Sequence, residues 1–466
     1  MTTTDLNRLT LTEAAELIGK RKLSPVELTE ACLRRIGSLD ARLHAFITVT
    51  REEALAGAQQ AAGAIAGGNY KGPLHGIPFA LKDLFDTAGV RTTAGSRIQA
   101  DRVPAEDATV TARLKAAGVV TLGKLNMHEF AFGATGVNPH YGAAQNPWDT
   151  SRVTGGSSSG SGVAVAAGMT LGALGTDTGG SIRIPAALCG ITGLKPTFGR
   201  VSRRGVFPLS WALDHVGPMA RTAADAAVIL QAIAGHDPLD PSSSEEPVPQ
   251  YHRDLEDPRN LKRVRVGVPA NYFFDNIDPE IMDAMRAVGA VFEGLKAELV
   301  EVALPLIQEA GAAVSAIMLP EALAIHRRWL SERPEDYGDD VRGRLEMGLA
   351  FPAVSYVEAQ RFRSLMVQQW RDHVFDRVDL LLTPTVAIPA PSLGDGDLQA
   401  TVSLIRFTNP FNLLGVPAVS VPCGFTANGL PIGLQIAGRW WEEGTVLRAA
   451  NAYQHATDWH TRTPPL

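Results

Sequence analysis

Two glycine-rich turns constrain this chain more than anything else in it. The first runs Gly155-Gly156-Ser157-Ser158-Ser159-Gly160-Ser161-Gly162, and the second Gly175-Thr176-Asp177-Thr178-Gly179-Gly180-Ser181-Ile182-Arg183-Ile184-Pro185. Such a composition suits a flexible linker. A linker, however, would not be followed directly by Val163-Ala164-Val165-Ala166-Ala167, a run that reads as a packed helix beginning where the glycines end. The turns therefore belong inside a fold, where glycine permits tight backbone conformations and close approach.

Composition narrows the classes. With 466 residues, 45% of them apolar and 20% charged, the chain can bury a large core. The balance of 43 Lys+Arg against 49 Asp+Glu, net -6, argues against a nucleic-acid binder built on a basic surface. Three scattered cysteines (Cys32, Cys189, Cys423) make neither a disulfide framework nor a thiolate zinc site. The opening MTTTDLNRLT lacks a basic stretch followed by an apolar one, and the weakly polar run from Gly162 to Gly175 is short and interrupted by Thr170. The expectation is a cytoplasmic protein with no membrane and no nucleic-acid partner.

Along the chain, Thr10 with Glu13 and Ser24-Pro25-Val26-Glu27 are helix-start signals, and Leu28, Cys32, Leu33 and Ile36 repeat at helical spacing. Gly76 to Lys82 alternates like a strand ending at a charge. His236 to Asn260, rich in Pro, Ser and Glu, reads as a surface connection. Val264, Val266 and Val268 predict a strand, Asp278-Pro279 a helix running to about Leu299, and Glu321 to Phe375 a polar helical region. Asp379 to Pro384, Ala418 to Val421 and Leu434 to Ile436 read as buried strands. The alternation predicts an α/β fold with a mixed sheet.

Three chemistries compete for the glycine turns. A phosphate loop needs a Lys after its last glycine, and none follows Gly160 or Gly162. The dinucleotide fingerprint needs a preceding apolar strand, and Asp149-Thr150-Ser151-Arg152 is polar. Gly156-Ser157-Ser158-Ser159-Gly160 matches a serine-hydrolase elbow with Ser158 as nucleophile, but the downstream His455 and His460 sit in a polar tail. In the third, the backbone N–H groups of Thr178-Gly179-Gly180-Ser181 converge as an oxyanion hole requires, with the Ser181 hydroxyl beside them. Such a serine needs a base. Lys82, at the end of an apolar run, would be desolvated and its pKa lowered. Composition leaves open the alternative that Lys82 pairs with Asp83 or Asp86 on a surface loop.

These segments resemble the amidase signature hydrolases. The likeness is densest from Gly76-Ile77-Pro78-Phe79-Ala80-Leu81-Lys82-Asp83 through Lys124-Leu125-Asn126-Met127-His128-Glu129-Phe130 and both glycine turns to Gly193-Leu194-Lys195-Pro196-Thr197. It resumes at Asn409-Pro410-Phe411-Asn412 and Pro417-Ala418-Val419-Ser420-Val421-Pro422. The resemblance implies a large mixed sheet sandwiched between α-helices, within a single domain over 1–466: N-terminal helices (1–65), the signature core (66–235) and a C-terminal α/β part (236–466) completing sheet and pocket. It also implies a Ser–Ser–Lys triad in which Ser181 attacks an amide carbonyl and Ser157, in a cis peptide, relays the proton to neutral Lys82. The N–H groups of Thr178, Gly179, Gly180 and Ser181 would hold the oxyanion. Asp177 and Arg183 pair to fix the turn, and Gly155 and Gly156 shape the other. No cofactor and no metal are expected. Where the family often has Gly, this chain has Ser159.

Other residues receive plainer readings. Ser158, Ser159 and Ser161 are turn and capping hydroxyls. Lys124 and Lys195 are rival bases at the wrong spacing, and His128 and Glu129 are packing or surface residues. Trp440-Trp441 is half-buried surface structure or a pocket wall. His326, Arg327, Arg328 and Trp329 form a solvated helix face with one buried aromatic, or else an anion site. The expected substrate is a small amide, carbamate, urea or hydrazide, with homodimerisation left open. The segment from Glu321 to Phe375 does not look like the glutamine-recognition region of a tRNA-dependent amidotransferase, so the glutaminase A subunit of such an enzyme is the alternative. A non-catalytic or nucleotide-binding protein using the glycine turns is the alternative from another class.

Overall fold

Both N-terminal helix signals act as read. Thr10 accepts from the Glu13 N–H at 3.1 Å while the Glu13 carboxylate accepts from the Thr10 N–H at 2.8 Å, opening a helix over Leu11–Gly19. Ser24 and Glu27 make the same reciprocal box ahead of Pro25–Leu43. The computed structural model describes residues 6–252, 255, 261–394 and 397–466. The first five residues and part of the connection expected between His236 and Asn260 lie outside the described residues.

One mixed sheet of eleven strands organises the rest. In chain order these are β1 (Phe46–Val49), β2 (Pro78–Lys82), β3 (Val120–Leu125), β4 (Gly172–Asp177), β5 (Thr192–Lys195) and β6 (His215–Ala220). The later strands are β7 (Arg265–Pro269), β8 (Glu298–Val302), β9 (Leu380–Pro384), β10 (Ala418–Phe425) and β11 (Pro431–Gly438). Their spatial order is β1-β3-β2-β4-β6-β5-β10-β11-β9-β7-β8. Strands β2, β3 and β4 run parallel, as do β7, β8 and β9, whereas β4–β6–β5–β10–β11–β9 are joined by antiparallel pairs. The seam between the earlier and later parts of the chain is the β5–β10 pairing, Leu194 opposite Val419.

Alternation along the strands shows how helices cover both faces. Leu380 and Leu382 of β9 enter one apolar cluster with Val288 and Phe292 of the helix Pro279–Gly294 and Val446 and Leu447 of the helix Glu443–Ala456. Leu381 enters another, with Ile317 of the helix Ala310–Glu332 and Trp370 of the helix Ala353–His373. Successive side chains point to opposite faces, so the sheet lies between helical layers, the α/β sandwich expected.

The structure changes several local readings. The alternation from Gly76 becomes a strand only at Pro78, and all five of its residues are buried, as befits a central parallel strand covered on both faces. The helix expected after the glycines spans Ser159–Ala166 and so begins among them. The helix opened by Asp278 ends at Gly294. Lys296 then turns the chain with φ +66, and Leu299 lies in β8 rather than in the helix. Strands β4 and β5, short and rich in Gly and Thr, and β6, interrupted by Gly217-Pro218, carry no alternation to read. Among the described residues no helix is long and apolar enough to cross a membrane.

Candidate active site

The site gathers where the C-terminal ends of β2 and β4 meet the two glycine turns. Lys82 closes β2, one strand from Thr176 near the end of β4, and its side chain is fully buried. Three hydroxyls surround its Nζ: Ser157 Oγ at 2.7 Å, Thr176 Oγ1 at 2.8 Å and Ser158 Oγ at 3.1 Å. Neither neighbouring aspartate touches it, because Asp83 faces Lys124 and Asp86 makes a bidentate pair with Arg102. The surface-loop reading of Lys82 is thereby removed. Burial lowers its pKa from 10.5 to about 7, with the more distant charges of Asp214 and Asp177 pulling partly the other way.

The three hydroxyls are not equivalent. Ser158 Oγ donates to the Thr176 carbonyl at 3.2 Å and accepts from the Thr176 N–H at 3.3 Å. Its proton is committed, so towards Lys82 it acts only as an acceptor. Ser157 keeps a hydroxyl proton available for the amine lone pair. Its peptide bond with Gly156 is cis, as the resemblance implied. The Gly156 N–H donates to Ala134 O at 2.7 Å, and a Cβ there would lie 2.7 Å from the Gly136 nitrogen, so this position admits no side chain. Gly155, at φ +75, makes the turn that precedes it.

Ser181 ends the second turn, 8% exposed, and its carbonyl accepts from the Ser158 N–H at 3.3 Å, which ties the two turns together. Among the described residues, the N–H groups of Thr178, Gly179, Gly180 and Ser181 donate to no backbone acceptor. Gly180 has φ +136, and a Cβ on it would meet Thr408 Oγ1 at 2.2 Å. Thr178 is fixed by its own hydroxyl, which donates to Asp214 at 2.6 Å.

Asp177 and Arg183 pair as expected, both fully buried, with Arg183 Nη2 2.9 Å from Oδ1 and Nε 3.0 Å from Oδ2. The Ile182 N–H also donates to Asp177, at 3.2 Å, so the carboxylate ties together the two ends of the second glycine turn. Burial opposes its ionisation, but the Arg183 charge and hydrogen bonds, the nearby Lys195 charge and Asn412 hold its pKa below the usual carboxylate range. Asn412 and Gln435, from the far end of the chain, complete the cage around Arg183 at 2.6 Å each.

Ser158 is a direct partner of Lys82 rather than only a turn hydroxyl. Lys124 bonds Phe85 O and Thr92, and Lys195 bonds the Val416 and Pro196 carbonyls, so neither rival base contacts a site serine. His128 and Glu129 are not at the surface: both are fully buried, His128 against Asp340 at 2.7 Å and Glu129 against Ser96, His140 and the Gly338 N–H. In the 326–329 segment His326 is buried among aromatic rings, Arg327 and Arg328 are exposed, and Trp329 is half-buried. Trp440 and Trp441 are half-buried, Trp440 donating to Leu414 O. Thr176, Asp214 and Asn412 escaped sequence reasoning. Only the strand pairing of Leu81 with Leu174, which sets Lys82 close to Thr176, or an Asn-Pro helix start brought to a residue 235 positions away would have revealed them.

Ser181, Thr178 and Gly179 form the floor of a cleft of about 160 Å³. Its walls include Phe132, Leu209, Met318 and Leu319, with Arg344 and Asn409 alongside. Across Thr178 a second cavity is lined by Thr176, Asp214 and His215.

A family model described as Amidase matches residues 27–447. A protein described as amidase from Pseudomonas putida is 45% identical over 99% of this chain and 98% of its own length. The A subunit of the glutamyl-tRNA(Gln) amidotransferase from Chloroflexus aggregans is also 45% identical, over 99% of each chain. A solved structure from work on a vestigial protein complex and the evolutionary origins of an s-triazine catabolic enzyme superposes with a TM-score of 0.90 at 38% identity, covering 96% of this chain and 98% of that one. The chain belongs to the amidase family, enzymes that act on carbon–nitrogen bonds.

Proposed function

We propose that this chain is a free-standing amidase hydrolysing the C–N bond of a small amide or amide-like compound through a Ser181 acyl-enzyme. One observation carries the reading: a buried lysine, with its pKa near 7, touches a serine hydroxyl at 2.7 Å and, among the described residues, no carboxylate. As the Ser181 Oγ–carbon bond forms, the Ser181 proton passes to Ser157 Oγ while the Ser157 proton moves to the Lys82 lone pair. The N–H groups of residues 178–181 stabilise the oxyanion. On collapse the C–N bond breaks and the proton returns through Ser157 to the departing nitrogen. Water then attacks the ester, its proton following the same relay, and Ser181 is released. No step calls on a cofactor. The same reading treats residues 1–466 as one working unit, with the C-terminal part supplying about half of the cleft lining.

A fluorophosphonate probe tests this directly. It should label Ser181 in the folded wild type and leave Ser181→Ala unlabelled and inactive, with an unchanged melting temperature. A folded wild type that resists the probe removes Ser181 as nucleophile.

The second reading is the glutaminase A subunit of a glutamyl-tRNA(Gln) amidotransferase, with glutamine as ammonia source and a partner protein as recipient. The full-length 45% likeness to one such protein supports it. Against it, no acidic side chain lines the cleft over Ser181 among the described residues, leaving the α-ammonium of glutamine without a counter-charge. Ammonia release from glutamine at a rate exceeding that from simple amides would favour this second reading.

A further inference from the structure

Four arginines line a cavity of about 330 Å³ that shares no residue with the cleft over Ser181. Arg8 lies just ahead of the first capping box, Arg34 and Arg35 belong to the helix Pro25–Leu43, and Arg221 follows β6. Ala167 and Gly168, where the helix Ser159–Ala166 ends, form another part of the lining. Arg35 and Arg221 are half-buried and anchored by neutral groups. Arg35 Nε donates to Ala167 O at 2.9 Å, and Arg221 donates to Leu9 O at 3.2 Å and to Asn7 O. Those carbonyls satisfy hydrogen bonds but leave the charges without counter-charges.

No acidic side chain lines this cavity among the described residues, and Leu466, which also lines it, makes no ion pair with any of the four arginines. Asp225 attracts Arg221 from outside the lining, but its Oδ1 already accepts from the Thr12 N–H and hydroxyl at 2.9 and 3.0 Å. Among the described residues only Arg34 has an acidic partner, Glu30 at 3.4 Å. Both side chains of that pair are about half open to water, so it is a weak one. Burial, with the charges of Arg8 and Arg42, pulls the Arg35 pKa below the usual arginine range, so these cations repel one another.

We propose that this cavity binds a small anion carrying two or more phosphate groups, such as a diphosphate. The site goes beyond the amidase reading and does not depend on it. Its volume equals that of roughly ten water molecules, ample for such an ion. Each guanidinium presents paired N–H groups that match two phosphate oxygens. Several negative charges on one ligand answer four fixed cations, where a single carboxylate would answer one.

The test is calorimetric titration of the full chain with sodium diphosphate in metal-free buffer. It should show one site per chain, with an affinity that falls as salt rises. Arg8 and Arg34 are exposed, so Arg8→Ala and Arg34→Ala should keep the fold, checked by melting temperature. Each should weaken diphosphate binding roughly tenfold, and the two together on the order of a hundredfold, as charge-assisted contacts are lost. Arg327→Ala with Arg328→Ala removes the same charge from an exposed stretch of helix elsewhere and should bind like the wild type. Orthophosphate and citrate at matched ionic strength should bind more weakly than diphosphate. The site is overturned if diphosphate does not bind, if Arg8→Ala and Arg34→Ala leave binding unchanged, or if the Arg327/Arg328 pair weakens it equally. Citrate or orthophosphate binding as tightly as diphosphate overturns the phosphate assignment. None of these results bears on Ser181, whose role the fluorophosphonate probe decides separately.

Discussion

Replacing Lys82 by methionine should destroy activity and stabilise the fold at pH 7. Methionine has a similar length and no charge to desolvate. The Lys82 pKa falls from 10.5 in the unfolded chain to about 7 in the folded one. At pH 7 that difference amounts to on the order of 4 kcal/mol of stability given up to keep the amine buried. The substitution recovers this, but leaves the Ser157, Ser158 and Thr176 hydroxyls each short of one hydrogen bond worth about 1 kcal/mol. The net expectation is a gain of about 1 kcal/mol. The sign can be checked by pH. Between pH 7 and 10.5 the unfolded chain binds a proton that the folded chain does not, so the wild type becomes more stable as pH rises. The advantage of Lys82→Met should therefore be greatest at and below pH 7 and shrink toward pH 10. Urea denaturation of both proteins at pH 7 and pH 10 measures it. A difference that is independent of pH, or a variant less stable than wild type at pH 7, would refute a desolvated amine at this position.

Other consequences are more direct. Since Lys82 must be neutral to accept a proton, kcat/KM should climb through a midpoint near pH 7, and at pH 6 stand at about a tenth of its plateau; a profile flat from 6 to 9 contradicts the relay. Asp177→Asn leaves the Arg183 guanidinium buried without its carboxylate, so chemical denaturation should show a loss of about 3–5 kcal/mol. Gly180→Ala places a methyl 2.2 Å from Thr408 Oγ1 at a backbone angle of +136, and should lower both activity and melting temperature where Gly37→Ala, which meets nothing within 4 Å, does not.

Local chemistry in the sequence was legible. The capping boxes at Thr10 and Ser24, the desolvated end of the 76–82 run and the Asp177–Arg183 pair need only neighbours or near neighbours to be recognised. What escaped depends on distant pairing. Ser157 and Ser158 are adjacent and chemically alike, and only the carbonyl of Thr176, on a strand whose glycines hide it, commits one hydroxyl and leaves the other mobile. The sequence leaves His128 and Glu129 open between packing and surface because their partners, Asp340 and the Gly338 N–H, arrive from the start of a helix more than two hundred positions away. Strand β2 is read as a strand from Gly76 and begins at Pro78, and its polar–apolar pattern does not report its burial, since a strand covered on both faces buries every residue.

The order of strands in the sheet has a consequence for how such a protein can change. All three side chains of the proposed relay lie between residues 82 and 181, on or beside neighbouring strands of the earlier part of the chain. Much of the cleft that would choose the substrate belongs to helices at 310–332, 339–347 and 397–405, from the later part of the chain. Natural variation can thus recut the mould without disturbing the tool. A lineage inheriting this sheet is free to trade one acyl group for another by altering helices that never touch the lysine.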